Sequence, residues 1–434
     1  SLSIAFFAIL KGMSQRLARR LYEAGLLVIF VGILFHAPLS TGFGTLLPDY
    51  AIYIKAWKEV LIVLLSILAI VLITKHELWL TIWKSWIIRL CLLYALLHFA
   101  LLTVINHGML ASVAGLMIDL RFIAFFLLSY VYGLIEPKAK QRAFKAVAVG
   151  SIVVVGFGLL QITVLPDDVL KYIGYSNDTI APYGTIDKNP DFVRINSTLR
   201  GPNPLGAFIV VTFSLFVAWW VRHRKTITQR QYVYACLLTA SMIAVLFATY
   251  SRSAYIGVIV GLLTIGIATI RRIDKKWGYI TAGVAVASFL GLFLLQQTDW
   301  YANVVLHEDP QSKVVTKSNT EHIRSLRASY TSFTRHPFGQ GVGSTGSASL
   351  YGDNSTSSVV ENTYLFVARE TGWLGLLLFL AIYALILMKL WHRRKQSWEA
   401  TGLLAGGVAL AVIGLLLPVW ADDTVALIWW GLTG

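Results

Sequence analysis

ENTYLFVARETGWLGLLLFLAIYALILMKL, residues 361–390, starts polar at Glu361-Asn362-Thr363-Tyr364 and turns apolar at Trp373, with Lys389 the only charge from there to Leu390. An apolar run of about 18 residues crosses a bilayer as a helix, so this stretch is the edge of a membrane span. What precedes it is different. From about 296 to 362 the chain is a polar excursion of roughly 65 residues, far longer than an ordinary connection between helices. It holds Arg324, Arg327, Arg335, His336-Pro337-Phe338-Gly339 and Gly341-Val342-Gly343. A membrane chain that keeps one large, basic, glycine-punctuated segment beside a span is expected to work there.

Outward from this segment the same apolar pattern repeats. Runs fall at 21–39, 59–74, 86–105, 116–135, 143–165, 203–221, 231–250, 254–270, 277–295, 363–391, 401–417 and 419–432. Hydrophobic residues make up 56% of the chain, and the mean hydropathy is +0.67. The reading is an all-α polytopic membrane protein of about twelve spans, with 1–434 a single membrane domain. The alternating segments of a β-barrel, about ten residues each, are absent. Cys91 and Cys236 fall near or in apolar runs and read as small buried hydrophobes. The basic start Lys11–Arg20 leads into a full-length apolar run with no small-residue cleavage site, so no cleaved leader is expected.

The formal charge of +15 belongs to loops, which argues against nucleic acid as a partner. Basic clusters at 11–20, 75–89, 138–145, 222–230, 271–276 and 393–395 occupy every second connection. By the positive-inside rule those face the cytoplasm, with both termini. The loops at 166–202 and 296–362 are then extracytoplasmic. The first is rich in Asp, Asn, Gly and Pro, and reads as irregular backbone.

Three basic patches fall on the outer side, where topology does not account for them: Arg194/Arg200, Arg252, and Arg324/Arg327/Arg335. Guanidinium groups grip phosphate through paired hydrogen bonds and stay charged at any relevant pH. A lipid-linked pyrophosphate would explain them; a carboxylate partner or an ordinary lipid headgroup would explain any one alone. Asp119 and Arg121 lie within the fourth span, either as functional charges or as a pair facing other helices. His336 can act as a base near neutral pH, or simply shape its loop. Glu361 can take a proton from a hydroxyl, or cap the span it precedes. No Walker loop, Cys/His metal spacing or Gly-x-Ser-x-Gly elbow occurs, so no cofactor is indicated.

Several of these motifs together resemble the bacterial O-antigen ligase/polymerase family. They are Arg194-x-x-x-Thr198-x-x-x-Pro202-Asn203-Pro204-Leu205-Gly206, Ser251-Arg252-Ser253 opening a span, Arg327, Arg335-His336-Pro337-x-Gly339-x-Gly341-x-Gly343, and Asn362-x-Tyr364-Leu365 with Glu370-x-Gly372-x-x-Gly375. The resemblance covers roughly residues 115–390. It implies a GT-C-like, metal-independent, inverting glycosyltransferase of the bacterial inner membrane with an extracytoplasmic active site. Its donor would be a polyprenyl-diphosphate-linked glycan, and its acceptor a lipid, a glycan or a protein. Arg194, Arg252 and Arg327 would hold the pyrophosphate, with Arg200, Asn203, Arg324, Arg335, Asn362, Tyr364 and Arg121 as further substrate contacts. Glu361 or His336 would be the base. The family's ligases carry a His-Asn pair ahead of the Gly-x-x-Gly; here Glu361 stands in the histidine's place before Asn362. That departure leaves ligase, polymerase and protein glycosylation open, and the span count and loop position point to the ligase branch. A lipid-linked-sugar transporter is the rival from another class, and would distribute polar residues along its interior.

Overall fold

The computed structural model describes residues 14–105, 107–186, 189–269, 318–352 and 360–434. Among these, nine helical stretches are long and apolar enough to cross a membrane. The first is α1 (Gln15–Gly32), continued through a 3-10 turn, Ile33–Phe35, into α2 (His36–Leu46). The others are α3 (Trp57–Lys75), α4 (Trp86–Val104), α5 (Met109–Ile135), α6 (Ala139–Thr163), α7 (Pro202–His223), α8 (Gln229–Ala248), α9 (Arg252–Thr269) and, beyond α10 (Ser318–Arg335), α11 (Thr363–Arg393). The chain is a mostly helical, multi-pass membrane protein.

The expected run at 277–295 lies outside the described residues. The runs at 401–417 and 419–432 form shorter helices, α12 (Trp398–Ile413) and α13 (Asp423–Thr433). With 11 residues, α13 is about 16 Å long, roughly half the hydrocarbon thickness. The two long loops contain regular structure, where 166–202 was expected to be irregular. Within 166–202 the chain forms a 3-10 turn, Val169–Ile173, and an antiparallel hairpin of β1 (Gly184–Ile186) and β2 (Asn189–Arg194). Within 296–362, α10 is helical because no glycine or proline interrupts it before Pro337. Cys91 is buried as expected, whereas Cys236 is exposed on α8.

The chain divides into two compact units. Unit 1 comprises Ser1–Val154, Thr331–Ile386 and Trp420–Gly434, and unit 2 comprises Val155–Tyr330 and Leu387–Val419. In unit 1 the core is aromatic. Trp429 and Trp430 on α13 are fully buried, and Tyr383 packs against Trp429 and Trp430 at 5.1 and 5.9 Å between ring centroids. Such rings bury large apolar areas and favour tilted or edge contacts. The same unit holds a charge network. Lys58 Nζ reaches Asp423 at 3.1 Å and Glu59 at 3.2 Å. Arg121 lies 3.6 Å from Glu59 and donates to the Ala421 carbonyl. Trp57 donates to His36 Nδ1 at 3.0 Å, and the ring's Nε2 lies 3.3 Å from Asp423 and 3.2 Å from Lys58 Nζ. Two cations face two carboxylates, and together they tie α2, α3, α5 and α13 to one another.

In unit 2, α7, α9 and α12 pack closely because small residues meet. A methyl group on Gly402 would lie 2.7 Å from Leu215 Cα, and one on Gly261 2.9 Å from Ser214 Oγ. With little hydrophobic force between helices in lipid, such close backbone approach is what holds a bundle. The apolar window of α7 is 67% buried against 22% for α8, so α8 presents most of its apolar surface outward.

Removing one partner of a buried ion pair leaves the other uncompensated, at about 3–5 kcal/mol. Lys58→Met is therefore expected to lower the thermal midpoint of the purified protein clearly, while the exposed Lys84→Met leaves it in place. A wild-type midpoint for Lys58→Met would contradict the network's role.

Candidate functional site

Unit 1 contributes a broken helix and the loop that fills the break. The break in α11 falls at Gly372, whose backbone sits at φ 69° and ψ −166°, a region that side chains with a Cβ rarely occupy. It frees backbone groups, and the His336–Thr345 loop supplies their partners. Trp373 N donates to the Pro337 carbonyl at 2.9 Å, Gln340 N to the Arg369 carbonyl at 2.6 Å, and Gly341 N to the Glu370 carbonyl at 3.1 Å. Trp373 Nε1 adds a bond to the Phe333 carbonyl at 3.0 Å. The glycines therefore serve backbone-to-backbone approach within the protein. A methyl on Gly339, at φ +81°, would lie 2.6 Å from the Glu370 carbonyl oxygen; one on Gly343 would lie 2.4 Å from that of Ala111.

Glu370, 1% exposed, ties the same loop from its side chain. It accepts from Thr345 N at 3.3 Å and from Gly343 N, and Asp119 lies beside it. His98 Nε2 faces Asp119 at 3.7 Å, while its Nδ1 bonds to the Tyr94 carbonyl at 2.8 Å. Asp119 and Arg121 thus do not pair with each other. Two residues apart on a helix they point in nearly opposite directions, one to His98 and Glu370, the other to Glu59 and Asp423.

The remaining unit 1 candidates sit at chain junctions. Asn362 caps α11, its Oδ1 accepting from Tyr364 N and Leu365 N, each at 2.9 Å. Glu361 precedes this cap, half-buried, where the helix N-terminus favours negative charge. Tyr364 is half-buried on the first turn. Arg335 and His336 are exposed at the end of α10, and His336 bonds to the Ser332 carbonyl through its backbone N at 3.0 Å and its Nδ1 at 3.1 Å.

Unit 2 contributes an anion cradle. β2 ends at Arg194, whose Nε donates to the Thr249 carbonyl at 2.8 Å and whose Nη2 donates to Asn203 Oδ1 at 2.7 Å. Ile195 N bonds to the Ala248 carbonyl at 3.2 Å, which fastens the hairpin to the end of α8. Two helices begin beside it: α7 at Pro202 and α9 at Arg252 itself. A methyl on Gly206 would lie 2.7 Å from Ala254 Cβ and 3.2 Å from Ser251 Cβ, so the two N-termini lie side by side. Both present the positive ends of their dipoles. Burial pushes the Arg194 guanidinium down to about 10; Tyr255 opposes that shift and the charge of Arg252 adds to it. Among the described residues no ion pair joins Arg194 to a carboxylate. Arg194, the Asn203 amide and two helix N-termini, one of them opened by Arg252, thus gather donors and positive potential in unit 2. Arg200 is exposed nearby in sequence. Arg324 and Arg327 are exposed on α10. With Arg335 they fall within roughly 80° around that helix, at 100° per residue.

Residues 237–380 match the family model for O-antigen ligase, Wzy_C. They are an O-antigen ligase family domain. The domain includes Arg252, the three arginines of α10, the glycine loop, Glu361, Asn362 and the break at Gly372. Arg194, Asn203, His98 and Asp119 lie upstream of it. No curated protein matches the chain.

The Glu370 carboxyl and its link to Asp119 and His98 were missed as a cluster by sequence reasoning. The one available signal was polar residues inside otherwise apolar runs, since their pairing depends on helix contacts that no spacing reveals. The same holds for His36, Lys58, Glu59 and Asp423.

Gly339→Ala forces both a positive φ, at about 1–3 kcal/mol, and a clash with the α11 backbone. It is expected to reduce folded yield and thermal midpoint sharply. Gly266→Ala, which meets nothing within 4 Å, serves as the control and is expected to match or slightly exceed wild type. Equal melting curves for the two variants would contradict the loop's structural role.

Proposed function

We propose that this protein is a membrane glycosyltransferase that moves a glycan from a polyprenyl-diphosphate carrier to an acceptor hydroxyl, in the manner of an O-antigen ligase. The observation that carries the proposal is the Arg194–Arg252 cradle, which brings the positive charge and two helix N-termini that a diphosphate needs. The O-antigen ligase family domain supports it, as that family implies lipid-linked glycan substrates.

In this reaction the acceptor oxygen attacks the anomeric carbon of the glycan from the face opposite the carrier. The new glycosidic bond forms as the bond to phosphate breaks, and polyprenyl diphosphate leaves with the bonding electrons. Its charge grows in the transition state, where preoriented cations stabilise it most. Arg194 and Arg252 take that role, with Asn203 holding the Arg194 guanidinium in orientation. Arg200, Arg324, Arg327 and Arg335 are further donor contacts, and Asn362 and Tyr364 acceptor contacts. The acceptor proton goes to Glu361; His336 is the alternative. Arg121 pairs with Glu59 and Asp423 and donates to the Ala421 carbonyl, so its contribution is to hold unit 1 together.

The transporter reading gains one specific observation, a discontinuous helix with buried charges. Against it, the break in α11 is filled by the protein's own loop, and the charges of the Lys58 network balance internally.

Arg252→Ala and Arg194→Ala are expected to lower kcat/KM for a polyprenyl-diphosphate glycan by about 100-fold or more, measured as glycan transferred by purified protein. Wild-type turnover by Arg252→Ala would overturn the diphosphate role. Glu361→Gln is expected to lower kcat by roughly 100- to 10,000-fold with little change in KM. Normal turnover in that variant would move the base role to His336.

A further inference from the structure

At the end of unit 2 where α7, α9 and α11 finish and α12 starts, the chain forms a second basic pocket, separate from the arginine cradle. It has a volume of about 240 Å³ and is lined by Ala218, Val221, Arg222, Arg224, Lys225, Thr269, Arg394, Trp398 and Thr401. Among the described residues, four cations line it and no carboxylate does. Its floor is apolar, resting on the packed cluster of Ala218, Ile265 and Ala405. We infer that this pocket binds the phosphate headgroup of an anionic membrane lipid, with the acyl chains following the apolar helix surfaces.

Three observations lead there. Trp398 and Thr401 place the first turn of α12, a helix of 16 residues, at the pocket, and a helix N-terminus favours an anion. Arg394 is held in place by a bond from Nη1 to the Trp391 carbonyl at 2.5 Å and by stacking 3.5 Å over the Trp391 ring. Its Nε is nevertheless buried without a hydrogen-bond partner among the described residues. A buried donor left unmade is costly, and a phosphate oxygen supplies the missing acceptor. The combination of apolar floor and cationic rim selects an amphiphile over a free ion. The volume lies below the roughly 300–1,000 Å³ of sites that enclose a drug-sized ligand, as suits a headgroup whose tails remain outside. Basic residues at helix ends also set topology, but topology needs only charge at the surface and asks for no pocket or orphaned donor.

The test is lipid retention by native mass spectrometry of detergent-purified protein, offered phosphatidylglycerol or phosphatidylcholine, with inorganic phosphate in a parallel thermal-melt arm. Wild type is expected to retain phosphatidylglycerol in preference to phosphatidylcholine. Replacing Arg222, Arg224 and Arg394 together with Gln is expected to reduce that retention roughly tenfold or more. If the triple variant folds poorly, Lys225→Gln, at an exposed position, is expected to give a smaller loss of the same kind. Replacing the exposed Lys84, Lys138 and Lys145 with Gln removes equal charge elsewhere and is expected to leave retention intact. Equal loss in that control set, or equal retention of the two lipids, would overturn the site in favour of diffuse surface charge. A melt shift from inorganic phosphate as large as that from phosphatidylglycerol would overturn the lipid as its ligand.

Discussion

The seating of the His336–Thr345 loop in the break of α11 is the constraint on which unit 1 depends. A helix interrupted within a membrane protein exposes backbone groups that lipid cannot satisfy. Here the loop supplies them, at Pro337, Gln340 and Gly341, and Glu370 adds bonds from its side chain to Gly343 and Thr345. The arrangement works only if backbone meets backbone, which fixes glycine at 339, 343 and 372. It also fixes the neighbourhood of Glu361 and Asn362, because the helix that Asn362 caps is the one held by the loop.

Unit 2 solves a different problem, that of burying the Arg194 guanidinium, which no carboxylate pairs with among the described residues. Arg194 is steadied by the Thr249 carbonyl and the Asn203 amide, and Arg252 opens α9 immediately after the tight turn at Tyr250, which sits at φ 46°. The adjoining N-termini of α7 and α9 add to the positive potential. The charge of Arg252 and burial both disfavour the Arg194 cation, and an anion beside it would offset both.

Much of the membrane architecture was legible from hydropathy, because a span requires a long apolar run whatever its neighbours do. Nine of the expected runs appear as helices of spanning length among the described residues, and the short α13 shows where the rule fails. Its residues are apolar because they are buried among Tyr383 and Phe122, and burial in protein looks the same in sequence as burial in lipid. The arginines at 194 and 252 were visible because topology gave no reason for them. The hairpin that carries Arg194 was hidden, since short strands in a Pro/Gly-rich loop leave no periodic signal. The glycine run announced tight turns, but whether a ligand or the protein's own backbone fills the space beside a glycine is decided in three dimensions. Asp119 and Arg121 stood out as charges in a span, and only helix geometry separates them into two clusters.

Chemistry at the arginine cradle and passage through it differ in one product, free polyprenyl diphosphate. The direct measurement is its release from a lipid-linked glycan by the wild-type protein in lipid nanodiscs, with and without acceptor. Lipid A core, a second donor molecule and a serine-containing peptide serve as the acceptors. A glycosyltransferase is expected to give release that depends on one of these acceptors, with one diphosphate freed for each glycan joined. Movement of the intact donor across a vesicle bilayer, with no diphosphate released in the presence of any acceptor, would contradict that role.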